Sequence, residues 1–157
     1  MNEMPQNLTW QCQNFESLSN TTLYEILRMR QQIFIVEQNC PYVDADRKDF
    51  ASMHVTGTAN GVLCAYARIV PAGLTYAECS IGRVTTLLEK RNTGIGKILM
   101  QQTLNFINNL YGKVPIRIGA QSYLLKFYSA YGFKAVFAYE EDAIAHHVML
   151  RPASAWQ

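Results

Sequence analysis

From Glu89 to Leu99 the chain reads E-K-R-N-T-G-I-G-K-I-L, with two glycines one residue apart where a helix should begin. Glycine inside a helix costs about 0.5–1 kcal/mol relative to alanine, so the pair asks for a reason. The first turn of a helix leaves backbone N–H groups unpaired and carries the positive end of the helix dipole. Glycines clear away side chains that would keep a phosphate from those amides, and Arg91 and Lys97 add charge for the same anion. A pyrophosphate suits such a site. The stretch is neither of two familiar phosphate loops: no Gly-Lys-Ser/Thr follows, and Leu99 stands where a dinucleotide fingerprint has its third glycine. Taken alone, it also fits a helix start chosen for tight packing.

Other residues could carry proton chemistry. His54, His146 and His147 are the three histidines, the side chains best suited to accept a proton near neutral pH. His146 and His147 are adjacent on one strand and point to opposite faces, so at most one enters a site. Tyr128 lies on an i, i+3, i+4, i+7 row with Leu124, Phe127 and Tyr131, which by itself describes a core aromatic. Glu37, Asp44, Asp46 and Asp49 gather in residues 36–50, a stretch with proline, asparagine and no period that reads as a long loop. It fits a solvated turn or a seat for a cationic amine. Arg30 falls on the apolar row of the preceding helix, seven residues after Leu23, where it either snorkels or lines a polar pocket.

The elements that would position these groups follow from patterning. Residues 8–12 suit a short strand. Ser19 and Asn20 offer caps for a helix with Leu23, Ile26, Leu27 and Phe34 at helical spacing. Asn60-Gly61 between two β-rich runs marks a hairpin, and residues 78–88 read as a further antiparallel strand. From Gly94 the pattern turns helical through Ile95, Ile98, Leu99, Phe106, Ile107 and Leu110. A strand, a short helix stopped by Gly132 and two final strands complete a β-α-β-β-β-α-β-α-β-β order. This is an α+β architecture: a mixed, mostly antiparallel twisted sheet flanked by helices in a single domain over 1–157.

Composition narrows the function classes. At 157 residues, 49% apolar and 17% charged with net charge +2, the chain reads as an ordinary globular protein without a basic patch for nucleic acid. No apolar run approaches the length of a membrane span, and residues 1–12 lack a signal-peptide pattern, so a cytoplasmic protein is expected. Cys12, Cys40, Cys64 and Cys79 have no metal-ligand spacing, so free thiols and no metal are expected.

In that setting, R-x-x-G-x-G between a strand and a long amphipathic helix resembles the acyl-CoA-binding motif of the GNAT acetyltransferase superfamily. The F-Y-x-x-x-G-F segment that ends in Phe133 agrees. The segments I-F-I-V-E-Q-N-C-P-Y-V-D-A-D-R-K-D, C-A-Y-A-R-I-V, S-I-G-R-V, G-A-Q and Y-E-E-D resemble the small ElaA-type branch, over about residues 20–150. The resemblance implies direct acetyl transfer from acetyl-CoA to a primary amine. It implies pyrophosphate on the amides of Arg91, Asn92, Thr93, Gly94, Ile95 and Gly96, with Lys97 beside them. It further implies pantetheine along Val84, Thr85 and Thr86, with Gln121 nearby. Tyr128 takes the position whose phenol protonates the departing thiolate, and His146, shortly after E-E-D, takes that of the base. Glu141 or Glu78 acting through water, or no dedicated base, remain alternatives.

On the acceptor side the expected set is Glu37, Asp44 and Asp46 with Arg68 and Arg83. Arg30, Phe34, Asp46, Asp49, Arg68 and Arg83 also resemble the pattern of acyl-homoserine-lactone synthases, although Ser80 stands where that family has glutamate and no tryptophan follows Phe34. The shared residues read as a scaffold tying the acidic loop to the sheet, with Arg30 held by an aspartate. An acyl-homoserine-lactone-synthase-like enzyme and a non-catalytic CoA-binding module are the alternatives. Oligomeric state stays open, a homodimer among the options, and so does the acceptor: metabolite, polyamine, aminoglycoside or peptide terminus.

Overall fold

The computed structural model describes residues 3–157; Met1 and Asn2, the first two of the expected 1–157 domain, lie outside the described residues. The elements run β1 (Thr9–Asn14), α1 (Asn20–Arg30), β2 (Met53–Ala59), β3 (Val62–Val70), β4 (Ser80–Thr86), α2 (Ile95–Tyr111), β5 (Ile116–Gln121), α3 (Leu125–Ser129), β6 (Lys134–Glu141) and β7 (Ile144–Arg151). This is the order that the patterning predicts. The sheet, however, is divided. Strands β1-β2-β3-β4 form one antiparallel sheet and β5-β7-β6 a second. The two meet where β4 and β5 begin, at a parallel bridge between Cys79 and Ile116 and a hydrogen bond from the Arg117 N–H to the Cys79 carbonyl (2.9 Å). Beyond that bridge two strand edges face each other without pairing.

Local chemistry explains the helices. The Ser19 hydroxyl accepts from the Thr22 N–H (3.0 Å) and starts α1, a cap worth about 1 kcal/mol. The inner face of α1 buries Ile26 and Met29 against Leu63 and Tyr66 of β3. Past Arg30 the helix widens into a π-helical turn, Gln31–Glu37, three residues beyond the expected end at Phe34. Helix α2 buries Ile95, Leu99, Met100, Leu104 and Ile107, and its buried Thr103 satisfies its hydroxyl on the Leu99 carbonyl (2.7 Å). The expected row included Leu110, which is 43% exposed: the helix outlasts its buried row. Helix α3 stops short of Gly132, the expected end of the segment, which sits at φ +90°, and a 3₁₀ turn over Ser122–Leu124 precedes it.

One irregularity matters for the site. Tyr66 of β3 faces Thr85 and Arg68 faces Gly82, so Arg83 and Val84 together oppose Ala67. This β-bulge puts Arg83 at φ +53°, a backbone region that side chains other than glycine rarely occupy. Among the described residues no helix is long and apolar enough to cross a membrane, and Cys12, Cys40, Cys64 and Cys79 are free.

Candidate active site

The unpaired edges of β4 and β5 form two walls of a cleft of about 1190 Å³. The π-helical turn and the loop after it, the start of α2, and the β6–β7 hairpin close the rest. On the expected donor side, Val84, Thr85 and Thr86 line the cleft along the free edge of β4, where backbone groups stand ready to pair with an extended ligand. Arg91, Asn92, Ile95, Gly96 and Gln121 line it as well. Thr93, Gly94 and Lys97 do not: the Thr93 hydroxyl turns back to the Lys90 carbonyl (2.7 Å), and the Lys97 side chain is exposed to solvent.

The two glycines of the motif prove to differ. Gly94 caps α2 at φ +94°, so its backbone conformation requires glycine. Gly96 does not sit in that region, and a Cβ built on it meets nothing within 4 Å. The fold has no use for a missing side chain at Gly96. A ligand approaching the first turn of α2 does, which fits a phosphate-bearing group at this end. Thr85 lines the same cleft, and its buried hydroxyl has no hydrogen-bond partner among the described residues.

Tyr128 lines the cleft from α3 and is 6% exposed, with its ring edge-on to Phe127 and Phe133. Burial, aided by the neighbouring Tyr123, pushes its phenol up from the usual value. The group therefore holds its proton throughout the neutral range, ready to give it to an anion generated beside it. Burial raises a thiol in the same place too, so the order of the two is set by the site rather than by values in water.

His146 lines the cleft from β7, whereas His147 on the opposite face meets the Ser122 hydroxyl at 2.8 Å. The His146 Nδ1 lies 2.7 Å from the Ile144 carbonyl. A carbonyl only accepts, so Nδ1 carries a hydrogen, and in the neutral ring the lone pair is on Nε2. The ring stacks on Tyr139 (5.1 Å between centroids, 23°), which holds its orientation. Tyr139 and Tyr76 are site residues that the sequence reasoning missed. Their hydroxyls converge over Gly119 of β5, where a Cβ would collide with Tyr139. Burial pushes the Tyr139 phenol up to about 12. Only the Y-E-E-D segment hinted at Tyr139; nothing marked Tyr76.

Of the other bases weighed, Glu141 lines the cleft. Glu78 does not: both its oxygens accept from Arg117 (2.9 and 3.0 Å), which holds its carboxyl below the usual range. His54 is buried between the Tyr66 hydroxyl (2.7 Å) and the Asp49 carbonyl (2.9 Å), a structural histidine.

The expected acceptor-side residues form a closed ion network. Arg30, fully buried, donates to Asp44 (2.8 Å) and to Asp49 (2.7 Å). Arg68 donates to Asp46 (2.7 Å) and Asp49 (3.0 Å), and Arg83 to Asp44 (2.7 Å). Burial opposes charge on these carboxylates, but the arginine hydrogen bonds overcome it and hold Asp46 down to about 2 and Asp49 below its usual range. Asp46, Arg68 and Arg83 reach the cleft wall, whereas Asp44 lies behind it, 6% exposed, with both oxygens engaged. The aspartates thus brace the loop against β3 and β4 instead of presenting free charge. Glu37 lines the cleft and pairs with Arg91 (2.8 Å), joining the π-helical turn to the loop before α2. The carboxylates of the β6–β7 turn, Glu140, Glu141 and Asp142, line the cleft as well.

Residues 29–151 match the family described as "Acetyltransferase (GNAT) domain". The chain is 38% identical to Protein ElaA of Escherichia coli over 147 residues, 92% of this chain and 96% of that one. The crystal structure of ElaA superimposes with a TM-score of 0.86 at 37% identity, covering 92% of this chain and 99% of that one. An acyl-CoA N-acyltransferase from Pseudomonas aeruginosa superimposes with a TM-score of 0.88 at 34% identity, over 92% of this chain and 99% of its own. A CoA-dependent acyl-homoserine lactone synthase shares the fold alone, with a TM-score of 0.72 at 12% identity, over 91% of this chain and 81% of its own. With its split sheet, its glycine-opened helix start and these matches along nearly its whole length, the chain belongs to the GNAT acetyltransferase superfamily, in the ElaA-type branch.

Proposed function

We propose that this protein is an N-acetyltransferase that moves an acetyl group from acetyl-CoA directly to a primary amine of a small molecule or peptide. The observation that carries the reading is that the Tyr128 phenol and the free Nε2 of His146 open into one cleft, between the splayed edges of β4 and β5. The first turn of α2, open at Gly96, takes the pyrophosphate, with Arg91 and Asn92 beside it. The backbone of Val84, Thr85 and Thr86 pairs with the pantetheine amides, and Gln121 stands across the cleft on β5. The wedge between the strands delivers the thioester to Tyr128. His146 Nε2 accepts a proton from the incoming ammonium, and the neutral amine attacks the thioester carbonyl. As the C–S bond breaks, the Tyr128 hydroxyl gives its proton to the thiolate, and the proton that the attacking nitrogen sheds on becoming an amide returns to the phenolate. Glu37, Asp46, Arg68 and Arg83 shape the acceptor end, and Asp44 supports them from behind.

Thermal unfolding with acetyl-CoA, against NADH and ATP, tests the donor assignment. At 100 times its Kd a ligand stabilises by about 2.7 kcal/mol, a rise of roughly 5–10 °C for a chain of this length. A shift with acetyl-CoA alone supports the reading, and thiol release then screens amines. Repeating it with longer acyl-CoA thioesters separates an acetyltransferase from a lactone-synthase-like enzyme. No shift with any thioester refutes the proposal.

A further inference from the structure

Strand β6 is unusual among the seven. It is an edge strand of its sheet, and every residue from Lys134 to Ala138 is exposed, together with Glu140 and Glu141. Both faces of the strand are therefore open to solvent. The exposed stretch is apolar: Ala135, Val136, Phe137 and Ala138, with Val136 at 52% and Phe137 at 55%. An unpaired apolar edge is a template for another strand, and proteins usually blunt such edges.

The charges on β6 specify which strand fits. Lys134 and Glu141 stand at its two ends, and neither has an ion-pair partner among the described residues. Against β7, Lys134 faces Leu150, Phe137 faces Val148, Tyr139 faces His146 and Glu141 faces Ile144. These partners alternate along β7, so Lys134, Phe137, Tyr139 and Glu141 share one face. The bulge between Ala135 and Phe137 produces this. Without it, Lys134 and Glu141 would point to opposite faces, being seven residues apart. The ladder on β7 runs from Leu150 to Ile144, and its middle residue, His147, faces Ala138. Ala138 is thus the centre of β6, three ladder steps from each charge.

We propose that β6 pairs antiparallel with β6 of a second copy of this chain, about a two-fold axis at Ala138. In that register Lys134 opposes the partner's Glu141, Phe137 opposes the partner's Tyr139, and each contact occurs twice. Both charges find opposite partners, and the exposed Phe137 pairs across the strands with the half-buried Tyr139 of the other copy. The two three-stranded sheets become one of six strands with no free β6 edge. Phe137, Tyr139 and Glu141 also line the cleft, so the second copy brings the partner's Lys134 and the partner's Phe137 to the acceptor end of each site. The charge that Glu141 offers an incoming amine is then shared with a lysine of the other protomer.

Sedimentation velocity over a micromolar concentration series reads the mass directly. The wild-type chain should sediment at twice its 17.8 kDa. Lys134→Glu and Glu141→Lys each place like charges opposite one another twice, and each should weaken dimerisation at least about tenfold. Mixed in equal amounts, the two variants restore opposite charges at both pairs and should form a heterodimer. Because both side chains are exposed, neither change disturbs the core, and dimerisation of the mixture is itself proof of folding. A wild-type chain that stays monomeric throughout overturns the proposal. So does a dimer that both reversals leave intact, or a mixture of monomeric variants that does not associate.

Discussion

Replacing Arg30 by methionine removes the guanidinium and keeps most of the volume that fills its place under α1. Arg30 makes four hydrogen bonds, two to Asp49, one to the Asp44 carboxylate and one to the Asp44 carbonyl, and is fully buried. Removing one partner of a buried ion pair costs about 3–5 kcal/mol because the other charge is left buried. Here Asp44 keeps Arg83 at 2.7 Å and Asp49 keeps Arg68 at 3.0 Å, so the cost should lie near the low end, about 3 kcal/mol. At the length of this chain that lowers Tm by roughly 6–12 °C. Urea unfolding at neutral pH measures it as a shift in midpoint at constant m. The pH dependence has a definite sign. The network holds Asp46 near 2 and Asp49 below its usual range, so its stability is complete above the unfolded carboxylate value near 4 and fades as pH falls through the folded values. Arg30 acts on Asp49 and not on Asp46, so the gap between wild type and Arg30→Met should narrow as pH falls below about 4 and Asp49 takes up its proton. A loss under about 1 kcal/mol at neutral pH, or a gap that widens on acidification, refutes the account of the network as a stabilising brace.

Gly96→Ala should fold as well as the wild type or gain up to about 1 kcal/mol, since the added methyl meets open space. It should nevertheless reduce the thermal shift given by acetyl-CoA, and a shift equal to that of the wild type counts against the open helix start as the donor's seat. Tyr128→Phe should leave Tm nearly unchanged while kcat falls about 10²–10⁴-fold with an amine that the wild type accepts; steady-state thiol release reads this, and an unaltered kcat removes the acid assignment. His146→Gln should lower kcat/KM about 10²–10⁴-fold with an amine that the wild type accepts while leaving the thermal shift given by acetyl-CoA unchanged. An unaltered kcat/KM would assign the base elsewhere, with Glu141 the next to replace.

Much of the architecture was legible because it rests on local signals. Asn60-Gly61, the Ser19 cap, Gly132 and the helical rows each act over a few residues, and the element order followed from them. Arg30 drew notice as a cation on an apolar row, which left snorkelling or a polar pocket open; the lactone-synthase resemblance pointed to an aspartate, and Asp44 and Asp49 hold it. The division of the sheet was not legible, because it depends on which edges meet in space, and β4 and β5 pair through one bridge only. The bulge at Arg83 and the π-helical turn were invisible for a related reason. Both are backbone irregularities imposed by tertiary partners on residues with ordinary propensities. In the site, the motif pointed to the start of α2 but could not separate Gly94, required by its φ, from Gly96, required by nothing in the fold. Charge alone left the acidic loop open between a solvated turn and a seat for an amine. The tie to the sheet through Arg30, Arg68 and Arg83 came from the resemblance to lactone synthases and is what the structure shows, because the arginines of β3 and β4 lie far along the chain from the loop.

Arg83 links two parts of the molecule that sequence comparison would treat as separable. Its backbone forms the β4 bulge, and its guanidinium clasps the Asp44 side chain and carbonyl in the loop after α1. A left-handed backbone at arginine costs about 1–2 kcal/mol, and the clasp is what maintains it. Residues 38–51 and strand β4 therefore form one unit of inheritance. A chimera that borrows this loop from a relative to change amine selectivity, while keeping its own β4, would lose the clasp and let the donor groove relax towards a regular strand. Recombination along this family should move the two segments together, and engineered exchanges should respect the same boundary.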